Sequence, residues 1–188
     1  MVSGIVNFCA PPIVQAGTVE ENVSILNKLA IYNFGQVSQS LWRGSIPSDK
    51  ELAELAKRGV KTVVDLRYAG IGRKHEEKTA NKLGLKYIHM SIGHNQLSLK
   101  EWLSFFNILS NPVNLPVYVH CTQGADRTGV IVGAYRMLVQ NWSFEKTYNE
   151  MRSYHFKPFL LNMKKSVVEI SNNSLAKNAI GAAVNAGP

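Results

Sequence analysis

The chain has 188 residues, 45% of them hydrophobic, and a formal net charge of +8. That length suits a single domain with a sizeable core, and the composition is that of a soluble globular protein. The two cysteines, Cys9 and Cys121, are too few for a disulfide framework or a zinc site, and no apolar run is long enough to cross a membrane. The basic excess points to acidic partners, but Lys and Arg are scattered with no dense block. A nucleic-acid footprint is therefore not expected.

Residues 1–32 read as a partly ordered N-terminal extension with a short helix over 23–30. The first ten residues lack a basic n-region, so no signal peptide is expected and the expected location is cytoplasmic. Residues 36–44 suggest a strand or hairpin. Ser48 and Glu51 form a capping box that opens a helix through Leu52, Leu55 and Ala56 to Gly59. Residues 61–67 are a β-rich strand, 73–83 a polar helix stopped by Gly84, and 85–92 a further strand. Ser98 and Glu101 form a second capping box. The helix behind it carries Trp102, Phe105, Phe106 and Leu109 on one face, a core pattern rather than a recognition platform. After a turn over 111–116, a short apolar strand leads into the stretch His120–Gly129, and a buried helix continues to Val139. Ser143 caps a helix through Met151, a last helix runs over 160–170, and 171–188 form a flexible tail. Strands alternating with helices predict an α/β fold: a central, mainly parallel sheet of four to five strands flanked by helices. Sites in such sheets lie at the carboxyl ends of strands, where Cys121 falls. We take 33–170 as the functional domain.

The stretch 120–129 concentrates the chemistry. A thiol at a helix N-terminus near an arginine is expected to ionise, and the thiolate is a good nucleophile. Residues Thr122, Gln123, Gly124, Ala125, Asp126 and Arg127 include no proline, so each offers a backbone N–H, and a curled loop would turn these into an oxyanion nest. Gly124 permits a backbone conformation that other residues resist. Arg127 carries a planar, permanently charged fork that matches two phosphate oxygens. The Thr128 hydroxyl is suited to hydrogen-bond the sulfur as it leaves. Together these parts suit attack of sulfur on a phosphate monoester, then hydrolysis of a thiophosphoryl enzyme. Neither a cofactor nor a metal is called for.

His120–Gly129 resembles the H-C-x-x-G-x-x-R-[ST]-G signature of the cysteine-dependent protein tyrosine phosphatase superfamily. Its place in mid-chain, before a long apolar helix, is similar to the dual-specificity subgroup. Residues 33–48 and 59–67 are similar to small bacterial and plant-type members, so the resemblance covers about 33–155. It implies phosphate monoester hydrolysis without metal, on phosphotyrosine and, in a dual-specificity enzyme, phosphoserine and phosphothreonine. Cys121 matches the nucleophile, Arg127 the phosphate-binding arginine, Thr128 the hydroxyl after it, and 122–126 the backbone cradle. His120 matches the residue that orients the loop. A phosphorylated protein or another phosphate monoester is the implied partner; oligomeric state is not legible.

One part of the pattern is missing. Most such phosphatases carry a general-acid Asp on a loop well before the cysteine, and residues 91–98 here hold no carboxylate. Protonating the leaving group contributes roughly 10²–10⁴ in rate. Asp126 is the first candidate, since some branches of the superfamily use an Asp at that position; its structural alternative is a charge that stabilises the helix start or salt-bridges a neighbour. His94 is the alternative acid, although a plain surface histidine is the stronger reading there. Arg67, at a strand's carboxyl end, is within reach of a substrate, but structural pairing is the stronger reading; Asp65 reads as structural and Trp42 as packing. No Lys occupies 122, 123 or 125, which favours phosphotyrosine over a highly charged inositol headgroup. A phosphoinositide or inositol-phosphate phosphatase is the alternative within enzymes, and a non-catalytic phosphate-binding pseudophosphatase the alternative outside them.

Overall fold

Three strands bury every residue, and they form the centre of the sheet. The computed structural model describes residues 29–68, 72–174, 176–178 and 180. The strands are β1 (Gly35–Gln36), β2 (Leu41–Gly44), β3 (Thr62–Asp65), β4 (Lys86–His89) and β5 (Val117–His120). They run in the order β1-β2-β5-β3-β4. β2, β5, β3 and β4 are parallel to their neighbours, and β1 pairs antiparallel to β2 at one edge. β2, β3 and β5 are covered on both faces, which is why they read as nearly continuous apolar runs. β4 is half-exposed at the other edge, and its ladder is shorter than the strand expected over 85–92.

Among the described residues six α-helices cover the two faces: α1 (Asp49–Lys57), α2 (Arg73–Lys82), α3 (Leu99–Ser110), α4 (Asp126–Leu138), α5 (Phe144–Ser153) and α6 (Leu161–Asn172). Both capping boxes form as expected, at Ser48 with Glu51 and Ser98 with Glu101, and Ser143 caps α5 through the Lys146 N–H. On one face Val64, Val117 and Val119 meet Ile131 of α4 and the α3 residues Trp102, Phe105 and Phe106. On the other, Trp42, Val63 and Tyr118 meet Leu52 and Leu55 of α1. Among the described residues no helix is long and apolar enough to cross a membrane.

The packed region is wider than 33–170. Leu29 and Ile31 are buried at one end, and α6 reaches Asn172 with Ala176 and Ile180 buried beyond it. Part of the expected flexible tail therefore packs on the core. Cys9 and residues 23–28 of the helix expected over 23–30 lie outside the described residues, as do 181–188.

The carboxyl ends of β3 and β5 are joined by a buried polar cluster. Asp65 accepts from the Arg67 backbone N–H, from its guanidinium Nε at 2.8 Å and Nη2 at 2.8 Å, and from the Tyr87 hydroxyl at 2.6 Å. Arg67 Nη2 also reaches Glu76 Oε2 on α2 at 2.5 Å. Burial alone would raise the Asp65 carboxyl, but the Arg67 hydrogen bonds and nearby His120 and Tyr87 outweigh it and hold the group below its usual range. Asp65→Asn should cost about 3–5 kcal/mol at pH 7, because it leaves Arg67 with half its buried counter-charge. Because the folded value is depressed, the Asp65 contribution is complete above the ordinary carboxyl value of 3.8 and is lost as pH falls through the folded one. Urea unfolding of wild type and Asp65→Asn from pH 7 to pH 2 checks this. The gap between them should close at the acid end; a gap independent of pH contradicts the assignment.

Candidate active site

β5 ends at His120, α4 starts at Asp126, and the five residues between them curl at the carboxyl end of the sheet. Unlike α1, α3 and α5, α4 begins at Ala125 with no side-chain cap. Its first N–H groups are thus left for an anion, with the positive end of the helix dipole behind them. The loop carbonyls are turned away and held from outside. Cys121 O faces His120 Nδ1 at 3.2 Å, and Thr122 O accepts from the Ile46 backbone N–H at 3.2 Å. Gln123 O accepts from Asn33 Nδ2 at 2.9 Å, and Gly124 O from Arg43 Nη2 at 2.6 Å. With four successive carbonyls held outward, the amides of the curl are left for the concave side. Gly124 sits at φ +65°, the left-handed region that its sequence position suggested.

A cavity of about 200 Å³ opens over this curl, lined by Cys121, Thr122, Gln123, Asp126, Arg127, His94 and Lys157. The Cys121 thiol is free and its residue only 3% exposed, so a reactant reaches it only along the cavity. Arg127 donates through Nε to Ile92 O at 2.8 Å. That bond fixes the plane of the guanidinium and leaves its two Nη groups for a ligand. Thr128 is fully buried and its hydroxyl makes no hydrogen bond among the described residues. Ala125 is buried too, so it contributes backbone alone. His120 lies behind the loop, with Nε2 2.7 Å from Glu76 Oε1 at an angle too poor for a hydrogen bond.

The two acid candidates differ in surroundings. Asp126 is 8% exposed; its Oδ1 accepts from the Lys157 backbone N–H at 2.9 Å, and its Oδ2 lies 3.5 Å from Lys157 Nζ. One oxygen is anchored and the other faces a half-exposed ammonium at the cavity. His94 is exposed in the loop after β4, without a hydrogen-bond partner among the described residues. Asp65, Glu76 and His120 bring possible ligand atoms within 4.8 Å of one another, but the Arg67 guanidinium already bridges the two carboxylates. The cluster is a closed ionic network rather than a metal cage.

Lys157, Arg43 and Asn33 were not singled out from the sequence. For Lys157 and Asn33 the sequence carries no local signal. For Arg43 it does: an arginine between Trp42 and Gly44, in an otherwise apolar strand, is out of place unless something holds it.

A family model described as a DSP-PTPase phosphatase fused to NAD+ kinase matches residues 20–169. The inositol diphosphatase SIW14 of Saccharomyces cerevisiae is 29% identical over 143 residues, 70% of this chain and 49% of that protein. This chain thus spans about half the length of that relative. A probable tyrosine-protein phosphatase of Dictyostelium discoideum, DG1060, is 27% identical over 127 residues, 65% of this chain and 75% of that one. The crystal structure of the SIW14 core catalytic domain with citrate superposes with a TM-score of 0.68 at 21% identity, covering 81% of this chain and 93% of that one. At that identity the superposition establishes the fold alone.

Proposed function

The chain belongs to the DSP-PTPase phosphatase family, and from that premise we propose that it hydrolyses phosphate monoesters through a phosphocysteine on Cys121. The observation that carries this reading is the cavity in which the free thiol of Cys121 faces Arg127 at the uncapped start of α4. The phosphoryl dianion sits in the amide curl, its oxygens taken by backbone N–H groups and the Arg127 fork. Sulfur attacks phosphorus in line, the S–P bond forms, and the ester oxygen leaves with its electron pair and takes a proton. Water then attacks the phosphocysteine, releasing phosphate and the thiolate. The Thr128 hydroxyl, free of other partners, serves the sulfur in that second step.

Asp126 is the proposed acid. Its anchored Oδ1 sets the direction of the carboxyl, and Oδ2 remains at the cavity to carry the proton to the leaving oxygen. Lys157 accompanies it as a second cation at the mouth. We propose phosphotyrosine as the preferred substrate class, because the loop itself brings no lysine and the cavity is small. Lys157, and the similarity to an inositol diphosphatase, favour inositol phosphates as the second reading.

The test is a substrate series with EDTA present: p-nitrophenyl phosphate, a phosphotyrosyl peptide, a phosphoseryl peptide and inositol diphosphates. Turnover of the aryl esters supports the reading, and no turnover of any member between pH 4 and 9 overturns it. Asp126→Asn should lose about 10²–10⁴ in kcat/KM on the poor leaving group and far less on p-nitrophenyl phosphate. His94→Asn should change both within a few-fold. The reverse pattern transfers the acid role to His94.

A further inference from the structure

Arg43 is the least explained charge in the molecule. It is 1% exposed, on β2 beside Val119 of β5, and no carboxylate pairs with it among the described residues. Nη2 bonds the Gly124 carbonyl at 2.6 Å, while Nε and Nη1 have no hydrogen-bond partner among the described residues. The guanidinium lies 3.8 Å over the Tyr154 ring, a contact that offsets only part of the cost of burying an unpaired cation. Glu150, the nearest acid in its field, is already bound to Arg136 by two short contacts. Burial pushes Arg43 down to about 10, with Tyr154, Glu150 and Cys121 pushing back, so it is charged at neutral pH.

Side chains alternate along a strand, so Arg43 and Val119 share a face of the sheet, and Cys121 continues that face two residues on. The charge with no carboxylate partner therefore lies on the same face of the sheet as Cys121, on the neighbouring strand. From this placement we propose that Arg43 is a positioning residue: it pins the Gly124 carbonyl so that the loop amides face the phosphate, and its buried charge acts on the Cys121 thiolate from the neighbouring strand. The inference rests on the phosphocysteine reading. It identifies a second fixed cation for the nucleophile besides Arg127, one that does not line the cavity. A thiolate on Cys121 is the one counter-charge that the reaction itself would bring to the face where this guanidinium is buried.

The other charged and titratable groups around Cys121 are Arg127, Asp126, His94 and Lys157 in the cavity, and His120 and Tyr118 along β5. All of them stay in place when Arg43 is replaced, so the variants isolate one contribution. Iodoacetamide alkylation of Cys121 is followed against pH in the free protein, with mass spectrometry separating it from Cys9. In Arg43→Met the pH at half-maximal rate should rise by roughly one unit, and kcat should fall about tenfold or more with KM less affected. Arg43→Gln keeps a donor for Gly124 without the charge; it should show the same alkylation shift and a smaller loss of kcat. Arg43→Lys should restore the alkylation midpoint. If folded Gln and Met variants, judged by circular dichroism and a cooperative melt, both alkylate with the wild-type midpoint, the inference is overturned. The Gln variant decides if Met does not fold. Alkylation needs no phosphate ester, so a failure of the phosphatase reading shows up separately, as absent turnover in wild type.

Discussion

Cys121→Ser should reduce turnover of an aryl phosphate by on the order of 10⁴–10⁶-fold and leave oxyanion binding nearly intact. A serine hydroxyl holds its proton at neutral pH far more firmly than a thiol and is a much weaker nucleophile than a thiolate. The binding elements are separate from the sulfur: the uncapped N–H groups of α4, the outward-held carbonyls of 121–124 and the Arg127 fork persist in the variant. Calorimetric titration with tungstate or phosphate should give a dissociation constant within a few-fold of wild type. In wild type, acid quenching during turnover of a labelled ester should place the label on the Cys121 peptide. A serine variant retaining more than about one part in a hundred of the activity would remove sulfur from the reaction.

The elements legible in the sequence are those set by contacts close along the chain. Ser48 with Glu51 and Ser98 with Glu101 are separated by three residues, and both boxes form. The Trp102, Phe105, Phe106 and Leu109 stripe fills the core as its period implies. Arg67 takes the structural pairing its place suggested, and its partner proves to be Asp65, two residues away on the same strand end. The loop itself was legible because its residue types are dictated by the anion it would hold.

The supports of that loop were not legible, and the reason is distance along the chain. Asn33 reaches Gln123 across 90 residues, Arg43 reaches Gly124 across 81, and Lys157 reaches back 31 to Asp126. Asn33 and Lys157 are ordinary polar residues until the fold brings the segments together, and Arg43, though out of place in its strand, does not show from sequence what it holds. Two of these three supports come from residues 33–43. That segment therefore supports the loop from outside while contributing no residue to the cavity lining. The extent of the packed region was missed for a related reason: Leu29, Ile31, Ala176 and Ile180 are isolated apolar residues in weakly patterned stretches, and only tertiary packing reveals them as core.

Gly124→Ala should cost more, in both stability and rate, than the same change at another left-handed glycine. Two penalties coincide at Gly124. At φ +65° an added Cβ costs about 1–2 kcal/mol from the backbone alone. That Cβ would also run into the carbonyl group of Gly44 and lie 2.7 Å from the Ser45 nitrogen. Those atoms belong to backbone held by the β2–β5 ladder at Gly44 and by the Tyr118 hydroxyl on the Ser45 carbonyl at 2.6 Å, so they cannot yield cheaply. The loop must lift, which breaks the Arg43 bond to Gly124 O and the Ile46 bond to Thr122 O. Adding about 1–3 kcal/mol for overpacking brings the expected loss of stability to about 2–5 kcal/mol. A displacement of about 1 Å in the amide curl should cost on the order of 10²-fold in kcat/KM. Gly59, at φ +93° after α1, has open space where its Cβ would point, so Gly59→Ala should lose only the backbone share and keep full activity. Urea unfolding and aryl phosphate kinetics on the pair separate the two penalties. If Gly124→Ala matches Gly59→Ala in both, the close approach of the loop to β2 does not constrain the site, and the case for support from outside fails with it.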